Sequence, residues 1–599
     1  MQIAFKFKYI HNNGLFTRLL ESICNSSSVC HNHYVDKDIF ILEASGNQQE
    51  LEELAEKVSA TIPQSLFLLS SSLEEINEFS SISKNELNSS YYEVPFCLKC
   101  QEKVLTTLNP FEECSVCGFS DTKLNYEEAI PLRFQNESKN LEESFMNMAE
   151  ELLENGELEL LTFNGKRHFS LLSSDEKKNS SILICDPSNI SKYFSITQGE
   201  LNALMLVEKP SVRLKPKVMF YHENSLQKPM YPVFFSDDKI TLALSTALSK
   251  KGVFALYCDN TSSLRVSSSL EENFIISSGR DMLPWQHEIT SQHKICSTLN
   301  NVTACLDKDG LILGKNKDVK NLNSVEFTLK NTPNKNSNAI TFKASHGVLR
   351  SIVLENDLDE KSICNIYLSK EHDSDICSYS SKIGYISMAE FVDEHLSSPK
   401  EMIEAIRSMD EEGARLMKNF ENAHPELYAT LLTITPQESN ANSSISKLWA
   451  MAAYFIGLTT TKETAIACEH LEAAALEFQG KSGPRIDYKI MKQNSDGYRV
   501  DPRLAIRSCI SFKLAGVDEY LLSFGFIDSL ADFIAEQAEF ADGNIAIEGV
   551  LLSGSLFENH QLLMRTYNSI TPNYKIYRNK RLSLDGDNIA AGAVTLGSE

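Results

Sequence analysis

Residues 96–119 read FCLKCQEKVLTTLNPFEECSVCGF, and the rest of the chain is best read outward from this run. Cys97 and Cys100 form one CxxC knuckle, and Cys114 and Cys117 form a second. Thirteen residues separate the pairs, and Gly118 follows the last cysteine. A CxxC turn presents two thiolates to one ion, and two such turns close a tetrahedral shell. A redox dithiol needs no second pair. The spacing therefore predicts a structural zinc on Cys97, Cys100, Cys114 and Cys117. A shell of four thiolates leaves no open position, so no zinc chemistry is expected there.

On either side of this knuckle the chain divides. Upstream, residues 1–75 read as a strand (Ile3–Tyr9), a helix near Phe16–Cys24, strands near Ser28–Tyr34 and Asp38–Ala44, a helix (Gln48–Ala60) and a strand near Ser65–Leu69. This βαββαβ order is the ferredoxin-like arrangement. The serine- and acid-rich stretch Ser70–Ser90 reads as a linker. Downstream, residues 135–280 read as mixed α/β, with a helix Leu141–Asn155 ending at Gly156, a strand Leu158–Phe163, a helix Lys239–Lys250 and a strand Val253–Tyr257. From about 290 the pattern restarts with strands ICSTLN, VTACLD and LILGKN, and further strands near 324–330 and 338–343. Helices dominate from Met388 to Phe478. The last 60 residues give a buried strand Ile545–Leu552, a Ser-Gly turn opening a helix, a strand Tyr574–Arg578, and the closing run LDGDNIAAGAV. A strand that runs into such a turn can offer backbone N–H groups to a phosphate; it can equally be a tight corner.

The chain has 599 residues, 42% of them apolar and 23% charged, with a formal charge of −24. That composition is globular rather than disordered or fibrous. An excess of acid argues against general nucleic-acid or anionic-membrane binding, which need basic patches. No stretch of 18 apolar residues exists, so no membrane span is expected. The opening run MQIAFKFKYI alternates like a strand and lacks the apolar core of a signal peptide. With 14 cysteines and no secretion signal, the expected setting is a reducing cytoplasm with free thiols.

Taken in order, these pieces resemble the hydrogenase-maturation carbamoyltransferase (HypF) family, over nearly the whole chain. SGSLFENHQLL resembles the family's Ser-Gly-Gly turn with its apolar pair and Asn: Ser553, Gly554, Phe557 and Asn559 match, and Ser555 replaces the second Gly. DGDNIAAGA resembles the closing Asp-Gly-Gly-Ile stretch, with Asp585 or Asp587 as the metal-side carboxylate. SSISKLWAMAAYFIG resembles the family's Ser-Ser helix, with Leu471–Glu472 as the following Leu-Glu pair. LLENGELELLTFNGKRHF resembles the opening of the YrdC-like domain, with Gly156, Gly165 and His168 in register, and ALYCDNTSS keeps Asn260.

The resemblance implies a multidomain α/β protein: a ferredoxin-like, acylphosphatase-like α+β domain (1–75), a zinc-finger module (91–130), a YrdC-like α/β domain (135–280) and an actin-like ATPase-superfamily carbamoyltransferase-like domain (285–599). It implies that carbamoyl phosphate and ATP, with magnesium, give carbamoyl-adenylate, and that the carbamoyl group passes to the C-terminal Cys of a hydrogenase-maturation partner. Implied nucleotide-binding residues are His168, Asn260, Ser553, Gly554, Ser555 and Asn559. Implied metal-side residues are His346, Asp585 and Asp587, and implied acylphosphatase residues are Arg18 and Asn32.

The departures fall on these same positions. In NNGLFTR, Phe16 takes the register of the phosphate-binding Arg and Arg18 lies two residues later, either rescuing the charge or acting as an ordinary helix arginine. Asn32 is one residue out of register. Thr162 stands where a Lys is expected, and His168 reads equally as a ligand or a core histidine. KASHGVLRSIV keeps His346 but has Phe342 at the partner position, and Ala450 and Thr464 replace acids. Three readings stand at this point: a divergent working carbamoyltransferase, a catalytically degenerate relative acting as a scaffold or partner-binding protein, and an unrelated zinc-stabilised cytosolic protein.

Overall fold

The computed structural model describes all residues except 12–13, 37–38, 81–94, 120–123, 175–179, 260–263, 268–274, 279–284, 287–295, 300–301, 308–309, 316–342, 438–442, 494–496 and 597–599. The expected strands near 324–330 and 338–343 fall almost wholly outside the described residues, as do Asn260 and Phe342.

The N-terminal chain forms β1 (Gln2–Tyr9), a helix Leu15–Asn25, β2 (Cys30–Asp36), β3 (Ile39–Ser45), a helix Gln48–Thr61 and β4 (Leu68–Glu75). The sheet order is β2-β3-β1-β4, all antiparallel, which is the ferredoxin-like arrangement. Alternation drives it: Ile3, Phe5 and Phe7 of β1 face the two helices, whose Leu15, Leu19, Leu51 and Leu54 meet them. The expected linker is corrected in its first part. Ser70–Glu75 continue β4 along β1, an edge strand whose exposed side chains leave serine and acid free to occupy it.

A second sheet has seven strands: β5 (Glu157–Thr162), β6 (Gly165–Leu171), β7 (Ser181–Ile184), β8 (Phe194–Ser195), β9 (Val212–Pro216), β10 (Tyr231–Phe234) and β11 (Ala255–Cys258), in the order β5-β6-β11-β7-β10-β9-β8. The helix Leu141–Asn155 ends at Gly156, whose φ of 80° is the left-handed conformation of a glycine cap. The helix Lys239–Lys250 packs against it. A hairpin, β12 (Arg265–Ser267) and β13 (Ile275–Ser278), follows.

The C-terminal region begins with β14 (Trp285–Gln286), β15 (Cys296–Leu299), β16 (Val302–Asp307) and β17 (Gly310–Lys315), in the order β14-β17-β16-β15. After the helix Ala344–Glu355 come β18 (Ile363–Tyr367), β19 (Asp375–Ser380) and β20 (Gly384–Phe391). Met388 therefore lies in a strand, and the helical stretch starts only at Pro399. Strands β21 (Ile490–Gln493), β22 (Gly497–Val500), β23 (Gly549–Ser553) and β24 (Ile576–Tyr577) complete a seven-stranded sheet, β21-β22-β20-β19-β18-β23-β24. Ile545, expected to open the buried strand, instead ends the long helix Glu519–Ile545, because the apolar run is shared between helix end and strand. The largest core lies here, around the helix Ser444–Ile456 with Trp449 at its centre. No helix among the described residues is long and apolar enough to cross a membrane.

Candidate functional site

The knuckle is built from one helix start and one turn. Cys97 caps the helix Leu98–Thr107, and Cys100 lies in its first turn. The facing loop is closed by Gly118 N–H donating to Cys114 O (2.9 Å) and Cys114 N–H donating to Phe119 O (2.9 Å), while Val116 N–H points at Cys114 Sγ (3.4 Å). The sulfur separations are 3.8 Å (Cys97–Cys100), 3.7 Å (Cys97–Cys114) and 3.7 Å (Cys100–Cys117). Zinc–sulfur bonds of about 2.3 Å in a regular tetrahedron put the sulfurs roughly 3.8 Å apart, so the four thiols fit that ion. All four are buried. Among the described residues they are the only group of three or more His, Cys, Asp or Glu side chains placed to hold a metal.

Arg18 and Asn32 turn to different partners. Arg18 lies against the knuckle: a Cβ placed on Gly118, whose φ is +67°, would meet Arg18 Nη1 at 2.1 Å. Asn32 Nδ2 donates to Glu43 Oε2 (3.2 Å) and Ser80 O (3.4 Å), and Tyr34 donates to the other Glu43 oxygen (3.0 Å). Arg18 thus lies between the first domain and the cysteine loop.

In the second sheet, His168 pairs through Nε2 with Glu157 Oε2 (2.9 Å), and its backbone N–H donates to Asp259 (2.6 Å). Next to it sits a group that the sequence reading missed. Arg167 is fully buried, bonded to both oxygens of Asp237, to Asp238 (3.0 Å) and to Thr241 Oγ1 (3.2 Å). Burial opposes its charge, but the two aspartates hold the guanidinium firmly protonated. The adjacent Asp-Asp pair before a helix was a sequence signal for a cap; its reach back to Arg167, 70 residues away, was not.

The Ser553–Asn559 turn follows β23 as expected. Gly554, with φ +103°, is obligatory, since a Cβ would lie 2.0 Å from Leu368 O. Its N–H groups are already engaged. Gly554 donates to Leu584 O (2.8 Å), Ser555 to Asp585 Oδ2 (3.0 Å), Leu556 to Leu368 O (3.0 Å), Phe557 to Gly554 O (3.2 Å) and Asn559 to Leu556 O (3.0 Å). Ser553 Oγ donates to Ile366 O (3.4 Å), and Asn559 caps the helix His560–Ile570 while donating to Glu472 (3.2 Å). The turn is thus a packed corner whose backbone donors are engaged within the chain.

Asp585 is likewise taken up. Tyr367 OH donates to Oδ1 (2.7 Å), and Ser369 Oγ and Ser555 Oγ each donate to Oδ2 (2.6 Å). Asp587 opens the helix Asp587–Leu596 and is buried. His346 stacks on Tyr385, with ring centroids 3.9 Å apart and planes 19° apart. Burial, then Lys343, pushes its pKa down to about 4, so the ring is neutral at pH 7. Among the described residues, His346, Asp585 and Asp587 do not form a group whose ligand atoms all lie within 4.8 Å of one another.

A second missed group joins the two large sheets. Arg213 of β9 meets Glu472 (3.0 Å) and Glu558 (3.5 Å), Lys370 meets Glu472 (2.9 Å), and Arg265 of β12 meets Glu558 (3.2 Å). Glu469 completes it, 3.5 Å from Arg213. Burial would raise the pKa of Glu558, but Arg265, Lys370 and Arg213 hold it down to about 2.

Residues 393–593 match the family model for the second subdomain of the carbamoyltransferase Kae1-like domain. Over 436 residues the chain is 25% identical to Protein HydE of Wolinella succinogenes, covering 71% of each protein. The fold matches the crystal structure of full-length HypF in its phosphate- and nucleotide-bound form over 100% of this chain and 98% of that one, with a TM-score of 0.62 and 14% identity. It matches the T. kodakarensis HypF structure over the same shares, with a TM-score of 0.58 and 13% identity.

Proposed function

From this chain's place as a divergent relative of the HypF family, we propose that it keeps the family scaffold without carbamoyl transfer and acts as a partner-binding protein in hydrogenase maturation. The observation that carries this reading is Asp585, whose carboxylate is satisfied by Tyr367, Ser369 and Ser555 inside the protein. A carboxylate that must ligate a metal beside a nucleotide needs an oxygen to give, and here three hydroxyls and one N–H already occupy it. In the same manner the second sheet spends its buried cation, Arg167, on Asp237 and Asp238. On this reading residues 1–75, 91–130, 135–280 and 285–599 are the acylphosphatase-like, zinc-finger, YrdC-like and actin-like units, the four thiols hold a structural zinc, and the partner surface is what function requires.

The competing reading is a working carbamoyltransferase that makes carbamoyl-adenylate from carbamoyl phosphate, ATP and magnesium. What favours it is the match of residues 393–593 to the transferase subdomain. Carbamoyl-phosphate-dependent ATP–pyrophosphate exchange on the purified full chain separates the two. The scaffold reading expects no exchange above a blank. Exchange that disappears in Asp585→Ala would overturn it.

A further inference from the structure

Lys239 is 2% exposed, an unusual place for an ammonium group. It opens the helix Lys239–Lys250 directly after the cap Asp238, and its side chain crosses to the cysteine loop. Nζ donates to the carbonyl of Glu112 (2.7 Å) and stands 3.8 Å from the centre of the Phe119 ring. Those two residues bracket the second knuckle, Glu112 two before Cys114 and Phe119 two after Cys117. The same helix packs against Leu98–Thr107, which carries Cys100. Burial lowers the pKa of Lys239; the sulfur charges of Cys100, Cys117 and Cys114 act the other way, as does Glu112. The neighbouring carboxylates Asp237 and Asp238 turn to Arg167.

A divalent ion held by four thiolates carries a net charge of about −2, and this shell is buried. A buried charge is costly unless an opposite charge lies close to it. We propose that Lys239 is an outer-shell cation of the zinc–tetrathiolate centre, with Arg18 lying against the loop at Gly118, and that metal loading is thereby coupled to docking of the cysteine loop on the helix Lys239–Lys250. The ammonium offsets the negative charge of the loaded shell, and the loaded shell in turn favours burial of the ammonium.

The test is competition for zinc between the purified full chain and a chromogenic chelator. Outer-shell partners of metal ligands typically contribute about 10–100-fold in affinity, so K239M is expected to bind zinc that much more weakly. K239R, which keeps the charge, should stay close to wild type. K250M, which removes an exposed cation at the far end of the same helix, should change nothing. Wild-type affinity in K239M would overturn the proposal. So would K239R falling as far as K239M, which would assign the effect to packing rather than charge. Circular dichroism at saturating zinc reports folding of each variant. If K239M does not fold, K239Q against K239R makes the same comparison, and equal affinities there would overturn it.

Discussion

The cysteine knuckle and the Asp585 turn each bring reactive groups from separate elements to one buried point, yet they end differently. At the knuckle four buried sulfurs lie close enough to one another to hold a single ion. At Asp585 every oxygen has found a hydroxyl or N–H of the chain itself. The difference teaches that motif letters fix where a turn lies, whereas the partners of the reactive atom decide what else can reach it.

The comparison can be broken first at the knuckle. Stripping zinc with a strong chelator should unfold it, since apparent metal stabilisation in isolated fingers is on the order of 10 kcal/mol. Metal analysis of fresh, reduced protein should give one zinc per chain, and chelation should lower the midpoint of thermal unfolding; a melt that ignores the chelator would erase the contrast. Next in size is Arg167→Ala. It leaves Asp237 and Asp238 buried without their cation, an event that typically costs about 3–5 kcal/mol. Denaturant unfolding should show the loss, and a near-neutral result would mean that the second sheet is not closed by this pair.

His346 offers a pH test of the closed region. Its folded pKa, about 4, lies below the 6.5 of the free side chain. The folded state thus binds the proton less well than the unfolded one. The stabilisation is fully present above pH 6.5 and is lost as pH falls towards 4, amounting to about 2–3 kcal/mol. His346→Phe should keep the stack on Tyr385 and remove that part of the pH dependence, whereas an unchanged pH profile would count against a neutral, packed ring. The smallest effect is expected from Asp585→Asn. The new amide sets donors against the hydroxyls of Ser369 and Ser555, costing about 1–3 kcal/mol. Thermal melts with and without ATP and magnesium should fall equally; a nucleotide-dependent gap present in wild type and absent in the variant would place a ligand at the turn.

Local patterns were legible in the sequence. The CxxC pairs, the βαββαβ order and the helix Lys239–Lys250 depend on neighbours within a few residues, and the structure has them. Ser70–Glu75 was misread because an edge strand needs only its backbone to pair, so its side chains carry no apolar signal. Arg167 and the Arg213 group were illegible for another reason. Arg213 and Glu472 lie 259 residues apart, and nothing near either residue indicates the other. Asp585 was found by its motif, but its state depends on Tyr367 and Ser369, more than 200 residues upstream.

The charge group between the two large sheets bears on how this chain can be taken apart. Arg213 and Arg265 come from one side of the junction, and Lys370, Glu469, Glu472 and Glu558 from the other. A fragment cut near residue 285 would keep the three acids with a single lysine, Glu472 and Glu558 being buried. Its partner fragment would keep two arginines with no counter-charge. The sequence marks a boundary there, but the electrostatics do not. Modular exchange at that seam, with the matching half of a relative, would succeed only if the donor brought its own arginines to the same two strands.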